Sequence, residues 1–139
     1  MSVRFPQEMY INGVWQGREK TINVYNPATG AVIGNIPDGT DSDALDAVDA
    51  AYSCSIQWAK LTAEERSTKL REWANLIDIH MDELAEIMTL EQGKPFEEAK
   101  GEIRYANSFI TWFAEEAKRV YGEIVPASSP NKRIFVQKQ

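Results

Sequence analysis

A change of hydrophobic period at Pro37-Asp38-Gly39 limits the fold of this chain more than any other feature. Before it, short apolar runs alternate with turn residues. After it, apolar residues recur every three or four positions as far as Tyr121, and strands and helices cannot exchange these periods. The spacing predicts strands and turns over 8–39 and helices over 40–121. Met9-Tyr10-Ile11 and Val14-Trp15-Gln16 flank Asn12-Gly13, a pair that tolerates the positive φ of a two-residue hairpin turn. A second reversal is expected where 21–25 and 31–36 flank Asn26-Pro27-Ala28-Thr29-Gly30.

The helical part is punctuated by its own start and stop residues. Thr40-Asp41-Ser42-Asp43 is a cap-like start for a helix running to about Lys60, with Ala44, Leu45, Val48, Ala51, Tyr52 and Ile56 as its apolar stripe. Thr62-Ala63-Glu64-Glu65 is a capping box opening a helix whose face is Leu70, Trp73, Ala74, Ile77 and Met81. A third helix over 82–91 is stopped by Gly93 and Pro95. The longest is expected from Pro95 to about Tyr121, with Gly122 past its end. Its stripe is Ala99, Ile103, Ala106, Ile110, Phe113, Ala117 and Val120, and Gly101 within it marks a close neighbour. After a loop at 127–131, residues 133–137 read as a strand without a partner.

Composition narrows the function classes. Fifteen basic against twenty-one acidic residues leave a net charge of −6, which argues against a nucleic-acid surface. No segment approaches a membrane span, and the first six residues hold no signal-like apolar stretch. One cysteine excludes an intrachain disulfide and a cysteine-built metal site. These features point to a cytoplasmic domain that engages neither nucleic acid nor membrane.

No catalytic apparatus is complete. Cys54, between Ser53 and Ser55 in mid-helix, reads as a small core or boundary residue. His80 is the lone histidine and lies near a helix end, where it can meet the last carbonyls. Glu83, Glu86, Glu91, Glu97, Glu98 and Glu102 read as a solvated face. Gly93-Lys94 ends like a phosphate-binding loop, but Pro95 replaces the hydroxyl residue such a loop needs. No catalytic, cofactor-binding or metal-ligating residue is therefore assigned. Tyr105, Phe109 and Trp112 share one helical face, with Phe113 turned toward the aliphatic stripe. Core packing is the simpler reading of this cluster, and an apolar wall for a small-molecule channel is the functional one.

Several motifs together resemble the aldehyde dehydrogenases. Tyr10-Ile11-Asn12-Gly13-Val14-Trp15 and Val24-Tyr25-Asn26-Pro27-Ala28-Thr29-Gly30 look like the opening of that family, and Leu90-Glu91-Gln92-Gly93-Lys94-Pro95 like another of its marks. Gly101-Glu102, Ser108 through Glu116 and Lys118-Arg119-Val120-Tyr121-Gly122 look like its succinate-semialdehyde branch. The resemblance extends from about Tyr10 to Gln139.

The resemblance implies an α/β parent fold, of which this chain is a helix-rich N-terminal fragment with a β-hairpin region. Residues 1–126 would be the first part of a discontinuous dinucleotide-binding domain. Residues 127–139 would be a loop and the first strand of an oligomerisation arm. It also implies NAD- or NADP-dependent oxidation of an aldehyde, succinate semialdehyde to succinate, through attack by a cysteine thiolate and release by a glutamate-activated water. The family's Pro-Trp-Asn segment, cofactor-binding lysine, glycine-rich turn, general-base glutamate and nucleophilic cysteine have no counterpart here, and Cys54 does not match the nucleophile's motif. The chain alone is thus expected to be inactive, to bind neither NAD nor NADP well, and to self-associate. Tyr105, Phe109 and Trp112 would be substrate-tunnel wall. A non-enzymatic helical interaction module is the alternative.

Overall fold

The structure, a computed structural model, describes residues 7–138; the first six residues and Gln139 lie outside them. Two antiparallel hairpins come first. β1 (Met9–Ile11) pairs with β2 (Val14–Gln16) through Asn12 and Gly13, whose φ values of 52° and 79° are those of a type I′ turn. β3 (Thr21–Tyr25) pairs with β4 (Val32–Pro37), with a bulge between Val24 and Tyr25. Asn26 builds the intervening turn: its carbonyl accepts from the Gly30 N–H at 2.8 Å and its Oδ1 accepts from the Ala28 N–H at 2.9 Å.

Four helices follow: α1 (Asp41–Lys60), α2 (Ala63–Ile79), α3 (Met81–Gln92) and α4 (Phe96–Glu116). Capping boxes open the first two. Thr40 and Asp43 exchange side-chain and backbone hydrogen bonds, as do Thr62 and Glu65. Gly93 ends α3 in the left-handed conformation at φ 72°, and a Cβ there would lie 3.0 Å from Pro27 Cγ. The turn of the second hairpin thus rests on the α3–α4 corner.

The packed centre lies where α4 meets α2 and α3. Ala85, Ala99 and Ile103 are buried together, with Ile77, Met81 and Met88 packed around them, and Ala74 and Ala114 are buried as well. Small residues at these positions let the helices approach closely.

Several expectations need correction. The buried line of α4 is Ala99, Ile103, Asn107 and Ala114, with Ile110 half-buried; Ala106 and Phe113 are exposed. Gly101 faces open space and no neighbour approaches it. α4 stops at Glu116 and tightens into a 3-10 turn over Ala117–Arg119, where Arg119 folds back onto Glu116 with Nε 2.9 Å from Oε1. Trp73 is exposed although Ala74 beside it is buried. The apolar stripe of α1 is also in water: Leu45, Val48, Tyr52 and Ile56 are exposed, and α1 packs against β1 alone among its substantial contacts. Residues 133–137 are not unpartnered. β6 (Ile134–Val136) pairs with β5 (Glu123–Val125), Ile124 opposite Phe135. The strand just beyond Gly122 escapes a periodic reading because it is only three residues long.

Gly122 makes this last ribbon possible, since a Cβ there would overlap the Val136 carbonyl oxygen. Gly122→Ala is therefore expected to remove amide protection from Glu123–Val125 in hydrogen exchange while leaving the α2–α4 core protected. Unchanged protection of the ribbon would show that the backbone yields there.

The first hairpin is joined to α1 by charge. Arg18 Nε donates to Asp43 Oδ1 at 3.0 Å, and a second guanidinium nitrogen donates to the same oxygen and to Gln16 Oε1. This pairing, with the Thr40 N–H and hydroxyl, holds the Asp43 carboxyl well below the usual carboxylate range. A lowered carboxyl stabilises the fold above its unfolded value of about 4, and that contribution fades as pH falls toward the lower folded value. Asp43→Asn is expected to lower the urea midpoint at neutral pH and to matter progressively less in acid. A gap independent of pH would separate the stability from the charge.

Candidate functional site

The apolar surface with the most concentrated aromatic content lies on α4. At 3.6 residues per turn, Tyr105, Phe109 and Trp112 fall on one side of the helix, opposite the line Ala99, Ile103, Asn107 and Ala114 that is packed inward. The structure brings the three together: the Tyr105 and Phe109 rings meet edge-to-face with centroids 4.9 Å apart. They are not core. Tyr105 is 67% exposed, Phe109 47% and Trp112 63%. Of the two readings of this cluster, packing within the core of this chain is the one excluded.

Trp112 and Ser108 form a ridge between two shallow concavities. One is apolar and lined by Phe109 and Phe113. The other lies toward α2, has a volume of about 490 Å³, and includes Asp78, Arg104 and Asn107. Asn107, buried on the packed side, donates from Nδ2 to the Ala74 carbonyl at 3.0 Å and to Asp78 Oδ1 at 2.9 Å, so it ties α4 to α2. Sequence reasoning passed over it. The four-residue step from Ile103 to 107, rather than the three-residue step to Ala106, would have exposed one polar side chain in an otherwise apolar line.

The other candidates stay apart. Cys54 is exposed on α1 rather than at a core boundary, beside Ala51, Ser55, Trp58 and Leu61, with no base lining that hollow. His80 joins α2 to α3: its N–H donates to the Leu76 carbonyl at 3.0 Å and its ring Nδ1 lies 3.1 Å from Glu83 Oε2. Glu102 pairs with Lys94, while Glu97 and Glu98 occupy the first turn of α4, favourable against the helix dipole. Among the described residues no group of three or more His, Cys, Asp or Glu is placed to hold a metal ion, and no helix is long and apolar enough to cross a membrane.

A dinucleotide would need backbone donors free at a strand-to-helix turn. The passage from β4 through Gly39 into α1 has that order of elements, but two of its donors are taken and its first turn is acidic. The N–H groups of Thr40 and Asp43 are bonded within the capping box, and Asp41 and Asp43 place negative charge in the first turn. These residues do not fit a pyrophosphate.

A sequence model of the aldehyde dehydrogenase family matches residues 15–139. Over 137 residues the chain is 53% identical to a glutarate-semialdehyde dehydrogenase of Pseudomonas putida, covering 97% of this chain and 28% of that protein. It is 50% identical to the NADP(+) succinate-semialdehyde dehydrogenase of Escherichia coli, with the same coverage. The crystal structure of a succinate-semialdehyde dehydrogenase from Burkholderia pseudomallei matches it with a TM-score of 0.88 at 46% identity, over 93% of this chain and 27% of that one. The chain therefore spans little more than a quarter of the length of these relatives.

The two faces of α4 should respond differently to truncation. Trp112→Ala is expected to change stability by no more than about 0.5 kcal/mol, as an exposed position does. Ile103→Ala should cost about 2–5 kcal/mol. Urea unfolding of both variants checks this, and equal losses would return the aromatic face to the core.

Proposed function

This chain belongs to the aldehyde dehydrogenase family, and on that basis we propose that it forms the N-terminal part of a dehydrogenase oxidising succinate semialdehyde to succinate with NAD or NADP. Overall, the aldehyde, water and the oxidised nicotinamide would give the carboxylate, two protons and the reduced nicotinamide. The similarity to semialdehyde dehydrogenases, at about half identity over 97% of the chain, is the observation that carries the reading. Their aldehydes carry a carboxylate at the far end, and glutarate semialdehyde differs from succinate semialdehyde by one methylene. A difference of that size is worth only about 1–3 kcal/mol to a binding site, so both are expected as substrates, with succinate semialdehyde preferred.

The assigned parts follow from the same reading. Residues 1–126 contribute outer strands and helices to a discontinuous dinucleotide-binding domain, and residues 127–139 a loop and strand of the arm that joins subunits. Tyr105, Phe109 and Trp112 form one wall of the approach taken by the aldehyde. Aromatic side chains suit that place because they stay rigid and their ring faces exclude water. The 139 residues alone are catalytically inactive and self-associate through their uncovered apolar surfaces, and the protein acts in the cytoplasm.

Two measurements test this. The isolated chain, mixed with succinate semialdehyde and NAD or NADP, should give no reduced nicotinamide; steady turnover by the homogeneous chain would overturn the assignment. A chimaera carrying this chain in place of the matching 137 residues of the Escherichia coli relative should oxidise succinate semialdehyde. A folded but inactive chimaera would count against the enzyme and toward a helical interaction module.

A further inference from the structure

We propose that Asn107 is a positioning residue: it locks the rotation of α4 about its own axis and so fixes where Tyr105, Phe109 and Trp112 stand. The bearing on substrate rests on the aromatic-wall reading above; the lock itself does not.

Apolar contact between helices is non-directional, and an interface made of alanines presents little relief to resist rotation. The buried line of α4 is Ala99, Ile103, Asn107 and Ala114, so Ile103, packed with Ile77, Met81 and Met88, is the one large apolar side chain on it. Hydrogen bonds are directional. Asn107, 5% exposed, sends both protons of its amide nitrogen to α2, one to the backbone at Ala74 and one to the side chain at Asp78. Two acceptors one helical turn apart on the same helix define an orientation that one alone would not. Thr111 Oγ1 donates to the Asn107 carbonyl at 3.1 Å, within α4.

The arrangement is costly. Asn107 Oδ1 is buried without a partner, and a buried unpaired acceptor loses its hydration for nothing in return. An apolar residue of similar size would avoid that loss. Buried asparagines that set register between paired helices accept the same cost in exchange for one defined arrangement. Here the arrangement protected is the angular setting of α4. Rings standing about 6 Å from the helix axis move by about 2 Å when the helix turns about that axis by about 20°.

The chain has four tryptophans, Trp15, Trp58, Trp73 and Trp112. Replaced by 5-fluorotryptophan, they report separately by fluorine NMR, with Trp112 assigned through Trp112→Phe. Asn107→Leu and Asp78→Leu should both move or broaden the Trp112 signal and leave those of Trp15 and Trp58, which lie outside α2 and α4. Asp78→Asn, which keeps an acceptor oxygen, should leave Trp112 unmoved. In the active chimaera, Asn107→Leu should raise KM for succinate semialdehyde roughly fivefold with kcat held within about twofold, because it displaces the wall and not the reacting groups. A Trp112 signal unmoved by either leucine variant, or one that shifts together with Trp15 and Trp58, overturns the proposal, as does a fall in kcat with KM unchanged. An inactive chimaera with Asn107 intact overturns the enzyme reading instead, and the lock then stands or falls on the fluorine signal.

Discussion

Close contact between α4 and its two neighbours is the constraint on which the rest of this structure depends. Alanines at 74, 85, 99 and 114 are fully or nearly buried, and they leave room for Ile103, Ile77, Met81 and Met88 to fill what remains. A larger residue at any of these alanines would force the helices apart. Charges then fasten the rim of the same unit: Arg71 to Glu115, Lys118 to Glu64 at 2.7 Å, and Lys100 to Asp82 at 2.6 Å. Each joins α4, or the turn that follows it, to α2 or α3. Such exposed pairs add little individually, so they trim an arrangement that the buried contacts already define.

The strands are attached to this unit at a few points, and those points explain why unconnected sequence motifs belong together. The turn Asn26–Gly30 and the segment ending in Gly93-Lys94-Pro95 are far apart in the chain, yet Pro27 rests against Gly93. Gly93 is left-handed where it ends α3, and a Cβ there would also crowd the proline ring. Arg18 does the corresponding work at the other hairpin by reaching the buried Asp43 in the first turn of α1. Asp43 therefore has two tasks, closing the capping box with Thr40 and receiving the guanidinium.

Local chemistry was legible in the sequence, and partner choice was not. Asn12-Gly13 predicts its turn because few other residues accept φ above zero, and Thr62 with Glu65 predicts a helix start because both satisfy donors that nothing else reaches. These signals act within a few residues. The azimuth of α4 does not. Ala106 and Asn107 differ by 100° on the helix, and a rule that favours apolar residues chose the former, whereas two hydrogen bonds to α2 make the latter the buried one. The partner of β6 was missed for a related reason, since pairing with β5 depends on the absence of a side chain at Gly122.

The amphipathic stripe of α1 carries the remaining step. Leu45, Val48, Tyr52 and Ile56 recur at helical spacing, as residues do when they face a core, yet in this chain they face water. Leaving such a stripe exposed is unfavourable by roughly 25 cal/mol for every Å² of apolar surface that could be covered. The aromatic face of α4 poses the same problem on a different helix. Both faces stay unsatisfied within the described residues, and the relatives, of which this chain spans little more than a quarter, hold much more polypeptide than it does. On that reading the two exposures have different meanings. The stripe of α1, aliphatic apart from Tyr52, suits permanent burial against another element. The face of α4, built from rings that keep their shape at an open surface, is the one proposed above as a wall along which a small aldehyde passes, and the proposed lock at Asn107 would hold it from the opposite side of the helix.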